Sequence, residues 1–537
     1  MTRSSILRCF LLLIVVIAAC SGDDPVAPQN RAPAAPSIPV PTNNAIVGIN
    51  AELSWEASDA DGDPLTFDVY FGEADPPPLA VSNVDQATYD PGTLGFDKTY
   101  RWQIAVKDNS GAKSTGPVWS FLTTNNRAPS VMNSAPADNS VNQDASGIQL
   151  SWNGDDPEGD PLTYTVLLDT QNPPIDAVAT DISNSSFNTG RLDMAKDYYW
   201  RVRVRDSFLN TFESEVWSFT TRGPTALTLA GTGDLPAGSR ANAVTVDGDY
   251  AYVAGLNSGV HIVDVGNAEA PTWDGRYDHK TGILDIASHV SVVGNTAYIG
   301  YGSQGFVIAN VTSKTTPTLI GDLRSSGVFA MGLVVSGNSV YLANGDRGLG
   351  ILNISAPSSP SIVGAYTPTP DAGFARNLVV SGTTVYMVNE IGLLIIDVSN
   401  PRTPTLTNSV VTRGDAWDID LLTTGKGGGV KKYALIADDE QGVHIIDLTS
   451  IGPQTVTFPT AGGAARSIVI DGSHAYVADG TAGLQVLDLS LPMQPRLDAF
   501  YDTPDEATGV WVAGNYVYIA DQLGELIVVD RTPLVAK

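Results

Sequence analysis

From residue 225 onward, one phrase of roughly 45 residues recurs seven times. Its openings read ANAVTVDGDYAYVA (241–254), ASHVSVVGNTAYIG (287–300), AMGLVVSGNSVYLA (330–343), ARNLVVSGTTVYMV (375–388), ARSIVIDGSHAYVA (465–478) and ATGVWVAGNYVYIA (507–520). A further copy starts at Ala416 and carries an insertion, TTGKGGGVKK (423–432). Gly248, Gly294, Gly337 and Gly382 lie 46, 43 and 45 residues apart, a period that suits one four-stranded sheet of a propeller. Such a sheet cannot bury both faces alone, so the copies must pack on one another.

The residue types follow from that geometry. Strands crowd together at the axis, so the innermost strand opens on something small: Ala241, Ala287, Ala330, Ala375, Ala416, Ala465 and Ala507. Gly248 and its counterparts accept the positive φ of a tight hairpin. Tyr252, Tyr298, Tyr341, Tyr386, Tyr476 and Tyr518, with Leu435 in copy five, offer large faces between sheets. Asp or Asn at 264, 310, 353, 397, 447, 488 and 530 closes each third strand, as in LLIID, and is suited to bonding the backbone of the turn that follows. A group present in every copy is structural; catalysis needs it once. The last copy ends LIVVDRTPLVAK without an outer strand, whereas TALTLAGTGD (225–234) matches the outer-strand phrase PTLIGD (317–322). It is expected to pair in the last sheet as a clasp, removing an exposed edge.

Residues 225–537 resemble the LVIVD-repeat family of bacterial surface β-propellers. The resemblance implies an extracytoplasmic propeller and brings no reaction with it. The fold expected for the whole chain is all-β: two sandwiches, then a seven-bladed propeller closed by an N-terminal clasp strand.

The sandwiches come from a second, longer duplication. LSWEASDADGDPLTFDVYF (53–71) matches LSWNGDDPEGDPLTYTVLL (150–168), TYRWQIAVKDNSG (99–111) matches YYWRVRVRDSFLN (198–210), and VWSFLTT (118–124) matches VWSFTT (216–221). The alternation of apolar and polar residues reads as half-buried strands. The order of Trp, GDPL, YxW and WSF resembles bacterial fibronectin type III modules, at 32–125 and 126–222. Trp55, Trp102, Trp119, Trp152, Trp200 and Trp217 recur in both copies and are expected to be core. Asp59, Asp61 and Asp63, matched by Asp156, Glu158 and Asp160, carry two readings. One is a turn in which Asp accepts local N–H groups. The other is a Ca²⁺ loop, although the full twelve-residue pattern is missing. Ca²⁺ is the one candidate cofactor.

The N-terminus pairs a basic segment, MTRSSILR, with the apolar CFLLLIVVIAA, a pattern expected of an export signal over residues 1–20. IAAC (17–20) resembles the bacterial lipobox, which implies cleavage before Cys20 and lipid on that cysteine. Ser21 at the next position leans toward the outer membrane by resemblance to known sorting. Residues 21–31 read as a disordered tether, continuing Pro/Ala-rich to residue 38. The formal net charge of −28 argues against nucleic acid as a partner.

No HExxH, GxSxG or Walker-type loop is present. The loops entering the innermost strands contain Asp234, His279, Asp285, Asp371, Arg376, Asp415, Trp417, Arg466, Asp505 and Glu506. Loops after the second strands add Asp346, Glu390, Asp438, Asp439, Glu440, Asp479 and Asp521. These should share one acidic face, with Asp415, Trp417, Arg376, Arg466, Asp505 and Glu506 as the candidate ligand-binding set. The function expected is that of a non-enzymatic, lipid-anchored, monomeric surface protein whose propeller binds protein or glycan in adhesion. The alternative is an exported glycan-active lyase or hydrolase with accessory modules.

Overall fold

The computed structural model describes residues 29–535 apart from 125, 280–285, 325–327, 369–372, 413, 427–428, 451 and 461. The signal segment and Cys20 therefore lie outside the described residues. The chain divides into two compact units at Arg222/Gly223.

The N-terminal unit contains two modules of the same build. In the first, strands Ser37–Val40, Leu53–Glu56 and Thr88–Tyr89 form one sheet. Ala45–Val47, Trp119–Thr123, Thr99–Lys107, Thr66–Gly72 and Leu79–Val84 form the other, with Lys113–Thr115 added at Thr99–Lys107. Leu53 and Trp55 from one sheet and Val69, Trp102, Ile104 and Phe121 from the other share one core, so the module is a sandwich. The second module repeats this around Trp152, Trp200, Trp217 and Phe219. All six repeated tryptophans are buried, and the pairs Trp102–Trp119 and Trp200–Trp217 have the same 4.7 Å ring separation. The duplicated landmarks are core, in agreement with the sequence pattern.

In the C-terminal unit, seven sheets of at least four strands are present among the described residues. Sheets 1 to 5 each take four consecutive strands, from Ala241–Asp247 in sheet 1 to Gln454–Phe458 in sheet 5. Sheet 6 (Ser467–Asp471 to Arg496–Tyr501) gains the short strand Thr225–Ala226 in parallel. Sheet 7 has three strands from the C-terminal end and takes its fourth, Thr228–Asp234, from the front of the unit, antiparallel to Glu525–Asp530. The clasp thus spans two sheets, whereas the sequence pattern assigns all of 225–234 to the last one.

Neighbouring sheets pack in chain order, and the first strand of sheet 7 lies against that of sheet 1. Each junction has its own apolar cluster. Tyr252 packs with Ala287 and Val290, Tyr341 with Ala375 and Leu378, and Leu435 with Ala465 and Ile468. At the junction of last and first sheets, Tyr518 packs with Ala241 and Val244. The seven opening alanines are buried, and Gly248, Gly294, Gly337, Gly382, Gly472 and Gly514 all hold φ between 55° and 61°.

The third-strand Asp and Asn residues all accept from the backbone two residues on. The bonds run from Gly266, Thr312, Ser355, Ser399, Thr449, Ser490 and Thr532 N–H, at 2.8–2.9 Å. A second recurrence lies in the outer strands. A methyl group at Gly275, Gly321 or Gly364 would fall 2.1–2.4 Å from a carbonyl oxygen (Lys314, Pro357, Pro401) in the third-strand turn of the next sheet. Gly231 of the clasp stands in the same relation to Ala268 O of sheet 1, at 2.5 Å. The clasp is therefore an outer strand in packing as well as in pairing.

Candidate functional site

The residue after each opening alanine differs in duty between sheets, and in sheet 3 it is Met331, which belongs to neither group that follows. In sheets 1, 2 and 7 it ties one sheet to the next. Asn242 Nδ2 donates to Ser288 O (2.8 Å), Ser288 Oγ to Ala330 O (2.7 Å) and Thr508 Oγ1 to Ala241 O (3.1 Å). In sheets 4, 5 and 6 the position holds Arg376, Trp417 and Arg466, which are too large for that duty. Their neighbours take it over: Asn377 Nδ2 reaches Asp418 Oδ1 (2.6 Å), and Ser467 Oγ reaches Asp418 Oδ2 (2.8 Å).

The three large residues form one stack. The Arg376 guanidinium carbon is 3.9 Å from the Trp417 ring centre and that of Arg466 is 4.4 Å away, one from the sheet on either side. Arg376 grips Asp415 with two bonds, Nε to Oδ1 at 3.0 Å and NH2 to Oδ2 at 2.7 Å, and lies 3.5 Å from Glu390 Oε1. Arg466 lies 3.3 Å from Asp439 Oδ1. Burial pushes the Asp439 carboxyl up, against the pull of Arg466. The row continues in the other direction, with Phe374 6.0 Å from the Arg376 guanidinium and packed edge-on to Phe329 at 5.3 Å. Beside Arg466, a pocket of about 390 Å³ is lined by Glu440, Gly462, Gly463, Ala464, Gly480, Thr481 and Glu506.

Of the expected binding set, Arg376, Asp415, Trp417 and Arg466 come together, and Glu506 joins them through the pocket it shares with Arg466. Asp505 does not line that pocket, and its backbone N–H donates to Asp521 Oδ2 at 3.1 Å. Phe329 and Phe374 are not singled out by the sequence pattern. The available signal is that each immediately precedes an opening alanine.

The acidic face is smaller than expected. Asp438 and Asp479 are 0% exposed and Asp521 1% exposed, so they are not surface charges. The loop entering the innermost strand of the same sheet covers each of Asp438 and Asp479: an added methyl at Gly414 would sit 2.5 Å from the Asp438 carboxyl, and one at Gly463 2.7 Å from Asp479 Cγ. Asn344 and Asn389 hold the same repeat position and accept backbone bonds, Asn344 from Phe329 N–H and Asn389 from Gly392 N–H, which marks the position as structural. Burial lifts the Asp479 carboxyl to about 6. His279 is likewise buried, its Nδ1 2.9 Å from Tyr277 OH. Asp285 and Asp371 lie outside the described residues.

In the N-terminal unit, the two acidic loops are turns first. Asp59 Oδ1 accepts from Asp61 N–H (2.7 Å) and Asp63 N–H (3.3 Å), and Asp156 Oδ1 from Glu158 and Asp160 N–H (both 3.0 Å). The middle acid of each loop faces an arginine, Asp61 with Arg31 and Glu158 with Arg127. The expected ligand sets of three successive acids are therefore not brought together as sets.

A family model described as LVIVD repeat matches residues 238–279, 286–324, 329–368, 372–412, 462–503 and 505–530. The C-terminal unit is an LVIVD-repeat β-propeller. The segment between the fourth and fifth matches contains sheet 5, where the insertion and Leu435 depart from the repeat. Sheet 5 is also the one that carries Trp417. No curated protein matches the chain. Among solved structures, the chain is similar to the WD40 β-propeller domain of Doa1, at 10% identity and a TM-score of 0.45, over 57% of this chain and 97% of that one. It is also similar to virginiamycin B lyase from Staphylococcus aureus, at 11% identity and a TM-score of 0.44, over 56% of this chain and 98% of that one.

Proposed function

We propose that the LVIVD propeller is a seven-bladed, clasp-closed binding head on an exported lipoprotein. Cys20 carries the lipid, and the two N-terminal sandwiches, fibronectin type III-like in strand order, precede the head as accessory modules. The protein is a non-enzymatic component of the outer membrane or cell surface that adheres to a protein or glycan.

One observation carries this reading: three adjacent sheets carry large planar side chains at the position that in sheets 1, 2 and 7 ties sheets together. Arg376, Trp417 and Arg466 replace small inter-sheet ties with a row of planar groups beside an open pocket. Both Trp417 neighbours are guanidinium groups, so a ligand meets the edge of the stack rather than a free indole face. Phe374 and Phe329 extend the row, and Glu390, Glu440 and Glu506 supply acceptors around it. A planar, hydrogen-bonding, mixed-charge strip suits sugar hydroxyls or a polar protein segment with basic residues. The Asp415 carboxylate is held by Arg376, and Gln522 Nε2 donates to Glu506 Oε2 at 2.9 Å, as in a fixed surface rather than a proton-transfer site.

Screening the purified full chain against glycan and envelope-protein arrays tests the proposal. Wild type should retain at least one ligand class, and Trp417→Ala and Arg466→Ala should each weaken retention tenfold or more. Retention unchanged in both variants would place binding elsewhere.

Asp479 favours a second reading, a glycan-active enzyme. Its raised pKa suits a general acid, and Gly463 and Gly480 of the pocket lie beside it. Its complete burial weighs against contact with a substrate. Turnover of a polysaccharide that disappears in Asp479→Asn would promote this reading.

A further inference from the structure

The N-terminal unit contains a cluster that shares Asp156 and Asp160 with an expected Ca²⁺ loop but replaces Glu158 with a residue from far along the chain. Among the described residues, one group of three metal-ligating side chains can each bring a ligand atom within 4.8 Å of the others: Asp156, Asp160 and Asp206. Asp206 lies 46 residues beyond Asp160, at the end of strand Asp197–Arg205, and sequence spacing alone gives no reason to join them.

Proximity of carboxylates is not a site. The second observation is that the oxygens here are shut off from solvent and lack partners. Asp156 is 9% exposed, and its Oδ2 is buried with no hydrogen-bond donor, Oδ1 being used by the turn. Asp160 Oδ2 is buried without a well-aligned donor as well, the neutral Ser207 hydroxyl being the side-chain donor near this carboxylate. Asn126 Nδ2 donates to Asp206 Oδ2 at 2.6 Å, and the Asn126 Oδ1 is a third buried oxygen without a partner. Asp206, 3% exposed, accepts from Phe208 N–H, Asn210 N–H and Asn210 Nδ2 in addition. The nearby guanidinium, that of Arg127, is bonded to Glu158. Three carboxylates, two of them with a buried oxygen that lacks a well-aligned donor, and the buried Asn126 Oδ1 leave a deficit of positive charge that a neutral hydrogen-bond network does not supply.

We propose that this cluster binds one Ca²⁺ ion, with Asp156, Asp160 and Asn126 as side-chain ligands and Asp206 as a ligand or adjacent counter-charge that positions Asn126. All the donors are hard oxygens, which excludes a thiolate- or imidazole-preferring metal by chemistry. The donors come from an irregular turn, a strand end and the chain entering the module. Ca²⁺ tolerates such uneven geometry and fills remaining positions with water, whereas Mg²⁺ demands a near-ideal octahedron. The ion would be structural, pinning the start of the second sandwich to two of its loops. In the first sandwich, Asp59, Asp63, Asp108 and Asn30 hold the matching positions. Asn30 Nδ2 donates to Asp108 Oδ2 at 2.7 Å, but these carboxylates do not form a group of the same closeness, so one ion per chain is expected.

Calorimetric titration of the EDTA-stripped full chain with CaCl₂ tests the site. Wild type should show one saturable Ca²⁺ event, and Asp160→Asn should weaken it at least tenfold. Glu158→Gln, which alters the acid turned to Arg127, should leave it within about twofold. Thermal melts in EGTA establish that Asp160→Asn folds, and added Ca²⁺ should raise the N-terminal transition in wild type and not in that variant. Absence of a Ca²⁺ event in wild type, or equal binding by Asp160→Asn, would overturn the proposal.

Discussion

The Thr508 hydroxyl donates to the carbonyl of Ala241 across 3.1 Å, joining the first strand of the last sheet to the first strand of the first. These residues are 267 positions apart in the chain, yet their contact belongs to the same series as Ser288 to Ala330. The seam is thus built like any other junction, with its own Tyr518 cluster and its own outer-strand glycine, Gly231. The C-terminal end adds a lock. Arg531 donates to Gly514 O at 2.6 Å, to Asp471 Oδ2 at 2.5 Å and to Tyr476 OH at 3.0 Å.

Outer-strand glycines should be intolerant of any side chain. In Gly321→Val, the new Cβ would meet Pro357 O at 2.2 Å, so sheets 2 and 3 must separate locally. The expected loss is roughly 2 kcal/mol or more, by the usual cost of overpacking, read as a lowered denaturation midpoint. Gly294→Ala makes a useful contrast, because nothing lies within 4 Å of its Cβ and only the positive φ of 60° opposes it. Its cost should be about 1 kcal/mol.

Two buried carboxylates held at about 6 should respond oppositely to amidation. Both are raised by burial above the ordinary 3.8, so the folded chain holds their protons while the unfolded chain has released them. Stability is therefore lost as pH rises from about 4 to about 6 and stays lost above. Asp479 has the Thr460 hydroxyl near it but no well-aligned hydrogen bond, so Asp479→Asn should relieve the loss, stabilising by up to ~3 kcal/mol at neutral pH and by little at pH 4. Asp418 accepts from Asn377, Ile419, Ser467 and Ile468 across three sheets. Asp418→Asn sets an NH₂ against donors and should destabilise by ~2 kcal/mol despite the same raised pKa. Melting temperatures of both variants across pH 4–8 check the pair.

The third-strand Asx turns should be individually modest. Asp397→Ala removes the 2.8 Å bond from Ser399 N–H on the protein surface. A loss near 1 kcal/mol is expected, with no effect on ligand retention. A large loss of retention would assign Asp397 a role beyond its turn.

The repeat itself is plain in the sequence, because alanine, glycine and aspartate at fixed spacing each answer a local demand. Opening alanines, hairpin glycines and all seven Asx turns appear where the pattern puts them. The site is legible in part. Arg376, Trp417 and Arg466 stand out once the copies are aligned, since each replaces a smaller residue. Asp438 and Asp479 mislead because a charged side chain in a loop reads as surface, and only the loop crossing above them buries it. Asp206 is invisible as a partner of Asp156 because the strand that brings it back is long and the pairing is tertiary.

Every functional reading of the propeller depends on the ring being sealed by the front of the unit. Amide hydrogen exchange of the full chain, read at Leu229–Gly233 and at Leu526–Val529, measures this directly. Protection in the clasp should equal that of the partner strand within about tenfold, since the two share one ladder. Exchange at Leu229–Gly233 approaching that of an unstructured peptide, beside a protected Leu526–Val529, would contradict a sealed ring.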